Sequence, residues 1–206
     1  MEDVITVYEL PYDPQYPVVC FDEACKQLFG EVRPPQPAVP GRPARQDYEY
    51  ERKGVCHQLV LCEPLTGWRH VRVTERRTRK DYAECLRELV DVHFPDATKI
   101  RVVQDNLNTH DGASLYEAFA PEEARRILDK IEFHYTPKHG SWLDLAESEL
   151  GVLSTQCLDR RIPDKTTLIA EIAAWENERN AHHATADWHF TTKDARIKLK
   201  HLYPSI

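Results

Sequence analysis

The sequence of 206 residues has only seven glycines and no long apolar run. Neither G-x-x-x-x-G-K-[ST] nor G-x-G-x-x-G occurs, which excludes two glycine-rich loops that cradle nucleotide phosphates. The longest apolar stretches, such as Pro17–Phe21 and Leu59–Cys62, fall far short of the roughly 20 residues of a membrane helix. The chain starts with acidic Glu2 and Asp3 and has no cationic region before an apolar run, so we expect no secretory signal and no membrane partner.

Net positive charge is also lacking. Lys and Arg number 27 against 34 Asp and Glu, which gives a net charge of −7. A small protein that binds nucleic acid purely through its net charge is therefore excluded, because such binding depends on displacing counterions from phosphates. A DNA enzyme with local basic patches remains possible on this evidence.

The six cysteines contain no C-x-x-C pair, so neither a disulfide framework nor a zinc site is favoured. We expect buried free thiols in a reducing cytoplasm. Apolar residues make up 41% and charged residues 30%, an ordinary globular composition. The length suits one domain. We predict a single α/β domain over residues 1–206.

Hydrophobic periodicity and turn residues predict the elements of this domain. Strands are expected over 18–21, 54–63, 68–74, 100–103 and 131–134, and helices over 78–93, 114–119, 121–130, 141–157 and 163–179. Residues 1–17 are predicted to be an extended lead-in and 182–206 a basic C-terminal tail. Residues 33–53 form a basic, proline-rich insertion, because five prolines between Pro34 and Pro43 prevent a helix or a central strand.

Three carboxylates are placed for metal chemistry. Asp22 and Asp105 each follow a predicted strand, and ligands in open α/β sheets gather beyond the carboxyl ends of strands. On a helical wheel Glu147 borders the buried stripe of the helix from Ser141, whereas Glu149 points well away from it. Two Asp and one Glu suit Mg²⁺ or Mn²⁺, and two such ions support phosphodiester chemistry.

Plainer interpretations apply to the same residues. An Asp-Asn pair after a strand is often only a turn or a helix cap, and a single helical Glu is usually a solvated charge. Four histidines could hold zinc, but no standard ligand spacing supports this for His134, His139, His182 and His183. Ser141 lacks the G-x-S-x-G context of a serine nucleophile.

Several strings of the sequence resemble bacterial insertion-sequence transposases of the insertion-sequence 630 type, within the mariner-like DDE superfamily. They include Cys20–Glu23, the run from Val103 to His110, and the run from Tyr135 to Leu143. Gly67–Val71, Gln156–Ile162 and the tail from Phe190 to Lys200 also match. The resemblance covers nearly the whole chain.

This resemblance implies a ribonuclease H-like mixed sheet flanked by helices, in which Asp22, Asp105 and Glu147 surround two Mg²⁺ or Mn²⁺ ions. It implies that further residues shape the second metal shell or contact DNA, namely Asn106, His110, Lys138, His139 and Asp144. Asp144 departs from the family, which commonly has Asn there. Basic residues expected to bind DNA are Arg69, Arg72, Arg76, Arg77, Arg79 and Lys80.

The predicted function is that of a transposase catalytic domain. It would cut DNA at the ends of an element and join the freed 3′-hydroxyl to TA-containing target DNA, as a homodimer on double-stranded DNA. We expect a bacterial, cytoplasmic protein associated with the nucleoid when bound. The family's N-terminal helix-turn-helix domain is not seen in this sequence, so a separate polypeptide could supply it. The alternatives are an inactive remnant that only binds DNA or a partner, and a structure-specific nuclease of the same fold.

Overall fold

The computed structural model describes residues 1–138 and 140–203. Five strands form one mixed sheet in the order β3-β2-β1-β4-β5. The strands are β1 (Val18–Glu31), β2 (Tyr50–Glu63), β3 (Trp68–Thr74), β4 (Ile100–Gln104) and β5 (Ile131–Tyr135). The first three are antiparallel neighbours, and β4 and β5 continue the sheet parallel to β1. The predicted α/β class, a mixed sheet flanked by helices, is confirmed.

Within the described part of the chain, seven α-helices flank this sheet. They are α1 (Glu2–Tyr8), α2 (Arg79–Glu88), α3 (Ala113–Ala118), α4 (Pro121–Asp129), α5 (Leu145–Gln156), α6 (Lys165–Ala181) and α7 (Thr192–Lys198). A π-helical turn, Leu89–His93, directly continues α2, and short 3-10 turns lie at Ser141–Leu143 and Lys200–Leu202. None of the helices within the described residues is long and apolar enough to cross a membrane.

Alternation along β1 separates two layers of the core. Phe21 faces the layer of α2, α3 and α4, where it packs with Leu86 and Ile127. Cys20 faces the opposite layer and packs with Val103 of β4 and Ala146 of α5. A third cluster lies where α5 and α6 cover β2 and β3. Side chains of successive strand residues point to opposite faces, so Asp22 belongs to the face that α5 covers.

The two ends of the chain pack against each other. Ala195 of α7 belongs to the same core cluster as Val4 and Ile5 of α1. The Arg196 guanidinium donates two hydrogen bonds of 2.8 Å to the Glu2 carboxylate. The predicted extended lead-in is therefore wrong for residues 2–8, because Val4, Ile5, Val7 and Tyr8 bury one side of a helix. Part of the predicted tail, residues 182–206, is likewise helical.

Other boundaries also differ from the prediction. β1 does not end near Asp22 but continues to Glu31, because β2 supplies it with an antiparallel partner along this length. The proline-rich insertion is an exposed excursion with two isolated bridges, Gln36↔Arg45 and Val39↔Arg42, and its last four predicted residues already belong to β2. The six cysteines are free thiols, of which only Cys25 is exposed.

Candidate active site

Asp22 and Asp105 are brought together by the parallel pairing of β1 and β4. Phe21 pairs with Gln104 at the last step of this ladder, so the next residue on each chain is an aspartate. Neighbouring strands lie about 4.8 Å apart, which places the two residues side by side at the point where β4 ends. Both follow residues of the α5-side cluster by two positions, Cys20 and Val103, and therefore share their face.

Glu147 approaches from α5. The segment before it is anchored by Leu143 and Ala146, both fully buried against Cys20 and Val103. Glu147 then lies in the first turn of the helix, where the positive end of the helix dipole favours a carboxylate. The residue itself is exposed, so its carboxylate borders an open surface rather than a closed pocket.

The field at Asp22 shows that the three acids are electrostatic neighbours. Burial is the largest cause that raises the pKa of Asp22 to about 6, and the negative charges of Asp105 and Glu147 raise it further. A hydrogen bond from the Glu23 backbone N–H, 2.7 Å long, partly opposes these effects. Like charges held together at a half-buried carboxylate are costly unless a cation neutralises them.

His110 is buried behind Asp105 and hydrogen-bonds its carboxylate. Its side chain is 1% exposed and stacks on Tyr82, with ring centroids 5.1 Å apart. Its Nδ1 hydrogen-bonds Asp105 Oδ1, and its Nε2 lies 3.8 Å from Glu23 Oε2. Burial opposes the charge of the ring, but the two carboxylates prevail and raise the pKa of His110 to about 9. The interaction with His110 in turn lowers the pKa of Asp105.

This position decides between two predicted roles for His110. A side chain so deeply buried is not available to DNA, so the expectation of a DNA contact is wrong, whereas a supporting role behind Asp105 fits the geometry.

The sequence did not reveal Glu23 as part of the arrangement. Glu23 also pairs with Arg77, whose Nη1 lies 2.9 Å from Glu23 Oε1. Asn106 and Lys138 are exposed next to the site, and His139 lies outside the described residues.

Glu149 does not point away from the protein, so the helical-wheel prediction for it is wrong. Its side chain is 16% exposed and pairs with Arg69, whose Nε lies 3.2 Å from Glu149 Oε2, and with Arg179 at 2.9 Å. The helical-wheel prediction depended only on the apolar stripe of α5. Arg69 of β3 and Arg179 of α6 bring two guanidinium groups to this side of the helix. The Glu149 carboxylate is occupied by these two guanidinium groups, whereas the charge of Glu147 acts on Asp22, which favours Glu147 as the third acid.

Asp144 is buried at the start of α5 and caps the helix. Its Oδ1 accepts a hydrogen bond of 3.0 Å from the Ala146 N–H, while its buried Oδ2 has no hydrogen-bond partner. Ser141, where the predicted helix begins, instead lies in the preceding 3-10 turn. Burial, reinforced by Cys20 and by the two aspartates, raises the pKa of Asp144 well above its ordinary value. Its burial excludes the DNA contact that was one of its two predicted roles.

Replacing Asp144 with Asn is expected to stabilise the protein near pH 7.5 and to change little near pH 4. With a raised pKa, folded Asp144 keeps a proton that the unfolded chain releases above about pH 4. Stability therefore falls as pH rises from about 4 toward the folded-state pKa, by up to about 1.4 kcal/mol per pH unit. An asparagine side chain can still accept the hydrogen bond that caps α5, but it has no titratable proton. Denaturant unfolding in EDTA at both pH values measures the effect, and equal pH slopes for the two proteins would contradict it.

The predicted DNA-binding residues separate into two groups. Arg69 is buried, with its side chain 2% exposed, and donates through Nη2 to the Ala184 carbonyl at 2.8 Å. Its prediction as a DNA contact is therefore wrong, because β3 directs it under α6 toward Glu149. The others lie at or near the surface: Arg72 pairs with Glu88, Arg77 with Glu23 and Arg79 with Glu117, while Arg76 and Lys80 are exposed.

The sheet order and the placement of the helices define a ribonuclease H-like catalytic core, and solved Mos1 mariner transposase structures share it. The Mos1 paired-end complex with Mn matches at 15% identity and a TM-score of 0.55, covering 88% of this chain and 56% of that chain. The Mos1 paired-end complex with left transposon end matches at 15% identity and a TM-score of 0.54, covering 82% of this chain and 52% of that chain. The Mos1 strand transfer complex matches at 16% identity and a TM-score of 0.51, covering 84% of this chain and 48% of that chain. The chain thus spans about half the length of these Mos1 chains.

Residues 17–169 match the family model of the DDE superfamily endonucleases. This match covers well over half of the sequence, and the chain belongs to that family. No curated protein matches the sequence. The finer expectation of a bacterial insertion-sequence 630 type stays a prediction.

Proposed function

We propose that the chain is the catalytic domain of a DNA transposase that cleaves DNA phosphodiesters and transfers the freed 3′-end. The observation that carries the proposal is the meeting of Asp22, Asp105 and Glu147 on one face of the sheet, in a chain of this family. The similar Mos1 structures are a paired-end complex with Mn, a paired-end complex with left transposon end and a strand transfer complex, which supports DNA as the substrate.

We propose that Asp22, Asp105 and Glu147 hold divalent cations, two Mg²⁺ or Mn²⁺ ions. The donor set fits, because all three ligands are hard oxygens, and a cation would offset both the burial and the carboxylate repulsion that raise the pKa of Asp22. Mos1 paired-end complexes have been solved with Mn and with Mg. When bound, such ions would supply an activated attacking oxygen and charge stabilisation for the leaving oxygen.

The protein's own groups prepare this site. His110, charged and buried, orients the Asp105 carboxylate and keeps it ionised, as a supporting partner orients a metal ligand. Arg77 neutralises Glu23, which limits the negative charge beside Asp22. Water would first attack the phosphorus and release the 3′-oxygen as a hydroxyl. That hydroxyl would then attack a phosphorus of the target strand, which joins the two DNAs and releases a new 3′-end.

Nicking of supercoiled plasmid and joining of a labelled duplex with a free 3′-hydroxyl test the proposal, each with Mg²⁺ or Mn²⁺ and with EDTA. Glu147→Gln should lose both reactions while it keeps its melting temperature in EDTA, because its side chain is exposed. Nicking without any joining would favour the structure-specific nuclease. If wild-type protein shows neither reaction but binds DNA, the inactive-remnant alternative holds instead. Full activity of Glu147→Gln would remove it from the site.

We also propose that DNA contacts a groove of about 840 Å³ beside β3 and the start of α2. Five basic side chains line it, Arg72, Arg76, Arg79, Lys80 and Lys165. Glu75, Asp81 and Glu117 also line the groove, so local charge is only moderately positive. Arginine and lysine in such a groove can neutralise phosphates without reading sequence.

The double variant Arg76→Ala/Lys80→Ala should bind a duplex of arbitrary sequence more weakly and with less salt dependence. Each lost phosphate contact lowers the slope of log K against log salt by about 0.9, so two contacts lower it by about 1.8. Fluorescence anisotropy at several salt concentrations gives the slope. Arg125→Ala, on α4 and paired with Asp129, is the matched surface control. An unchanged slope in the double variant would place the DNA elsewhere.

A further inference from the structure

A second group of possible metal ligands lies at the edge of the sheet, apart from the acidic site. His70 comes from β3, Glu88 from the last residue of α2, and His93 from the π-helical turn that follows. One ligand atom from each lies within 4.8 Å of the others. All three side chains are half-buried, between 16% and 29% exposed.

The distances suit a shared ion better than direct contacts. His70 Nε2 lies 3.6 Å from Glu88 Oε1, and His93 Nε2 lies 4.0 Å from the same oxygen. These separations are too long for hydrogen bonds. Two ligand atoms bound to tetrahedral zinc at about 2.0–2.1 Å are about 3.3 Å apart, so small side-chain shifts would close the site. Among the described residues the buried Nε2 of His93 finds no hydrogen-bond partner, which leaves its lone pair or proton unsatisfied.

Two of the three ligands, His70 and Glu88, have supporting partners. His70 Nδ1 lies 3.2 Å from Glu176 Oε1 of α6, and the Val71 N–H donates to the other oxygen of Glu176 at 2.8 Å. A proton on Nδ1 would leave Nε2 free as a ligand, the carboxylate–histidine arrangement found behind metal-binding histidines. Glu88 uses Oε2 to accept from Arg72 at 2.6 Å, which leaves Oε1 toward the two histidines.

The π-helical turn brings Glu88 and His93 to one side. In a regular α-helix, residues five apart are about 140° from each other around the axis. Here the Phe94 N–H donates to the Leu89 carbonyl at 2.9 Å, a bond that spans five residues. This wider turn rotates His93 back toward Glu88, and such turns recur at functional sites. Trp68 packs against the His93 ring, with centroids 4.9 Å apart, and fixes its position.

We propose that His70, Glu88 and His93 bind a divalent transition-metal ion of the zinc class, with water completing its coordination. Two imidazoles and one carboxylate suit Zn²⁺ and disfavour Mg²⁺, which requires oxygen ligands. Such an ion would fasten the edge strand β3 to the end of α2. It would be independent of the cations proposed for Asp22, Asp105 and Glu147.

The test uses the full chain, stripped of metal with a chelator, in millimolar Mg²⁺ to saturate the acidic site. Titration with Co²⁺ should produce the visible absorption of a tetrahedral or five-coordinate ion at one Co²⁺ per chain, and Zn²⁺ should displace it. His70→Gln and His93→Gln should each weaken Co²⁺ binding by at least about 100-fold. Glu176→Gln, which removes only the support behind His70, should weaken it by about 10- to 100-fold.

Three controls keep the result clear. His182→Gln changes an exposed histidine at the end of α6, and Asp22→Asn removes a carboxylate of the acidic site; both should keep the absorption. Melting temperatures of the metal-free variants show whether each is folded at the titration temperature, and Glu176→Gln serves if a histidine variant is not. Wild-type protein without the absorption, or full binding by a folded His93→Gln, would overturn the proposal.

Discussion

Asp22→Asn is expected to reduce metal-dependent DNA cleavage by about a thousandfold or more. The asparagine removes a charged oxygen at the centre of the proposed site, where a divalent cation contributes several kcal/mol of transition-state stabilisation. Each 1.4 kcal/mol or so corresponds to a factor of ten in rate. Plasmid nicking in Mg²⁺, followed over time, measures the loss.

The same substitution should stabilise the metal-free fold. Asp22 has a pKa of about 6 in the folded protein, against about 3.9 in an unfolded chain. The folded state therefore holds the extra proton between these values, and stability falls as pH rises through this window. At pH 7 the charged carboxylate costs about 1–2 kcal/mol after allowance for its partial exposure, and the asparagine removes this cost.

Asp22→Asn should lower cleavage and raise stability, and this combination distinguishes a residue of the active site from a merely structural one. Asp187→Asn, an exposed residue paired with His189, should change neither activity nor stability. An Asp22→Asn protein that cleaves normally, or one that unfolds more easily in EDTA, would contradict the assignment.

Glu149→Gln is expected to destabilise the protein by about 3–5 kcal/mol. Arg69 would then lose its carboxylate partner while its side chain remains buried, and an uncompensated buried charge carries a penalty of this size. The second guanidinium, from Arg179, would face Arg69 without the carboxylate between them. Urea unfolding at pH 7 measures the change.

Glu75→Gln is the matched control, because its exposed pair with Lys165 contributes at most about 1 kcal/mol. Glu149→Gln and Glu147→Gln test two nearby positions of α5 for different properties. Glu149 should affect stability, and Glu147 should affect chemistry. A stable, inactive Glu149→Gln protein would reverse the two roles and make Glu149 the third acid.

Much of the fold could be predicted from short-range patterns. The apolar runs from Leu59 and from Ile100 lie in β2 and β4 as predicted, and the helix predicted from residue 78 begins there, where Thr78 and Asp81 form a capping pair. The length of β1 could not be predicted in this way. Beyond Asp22 its residues are only partly apolar, and they are in a strand because they pair with β2, about 20 to 40 residues later in the chain.

The candidate site was predictable where it depends on strand ends and less so where it depends on distant partners. The pairing of Phe21 with Gln104 joins two apolar runs, each followed directly by an aspartate. The burial of Arg69 depends on Glu149 and on the Ala184 carbonyl, which are separated from it by about 80 residues or more and leave no local signal. The charge of an arginine in a sequence therefore does not reveal whether it faces DNA or a buried carboxylate.

The contact between α1 and α7 has a consequence for folding during synthesis. Val4 and Ile5 precede Ala195, which belongs to the same core cluster, by about 190 residues. Contacts between such distant parts of a chain slow folding and leave apolar surface exposed in the meantime. Until α7 has left the ribosome, this layer of the core stays open, and a nascent chain that stalls before Thr191 keeps that apolar surface exposed.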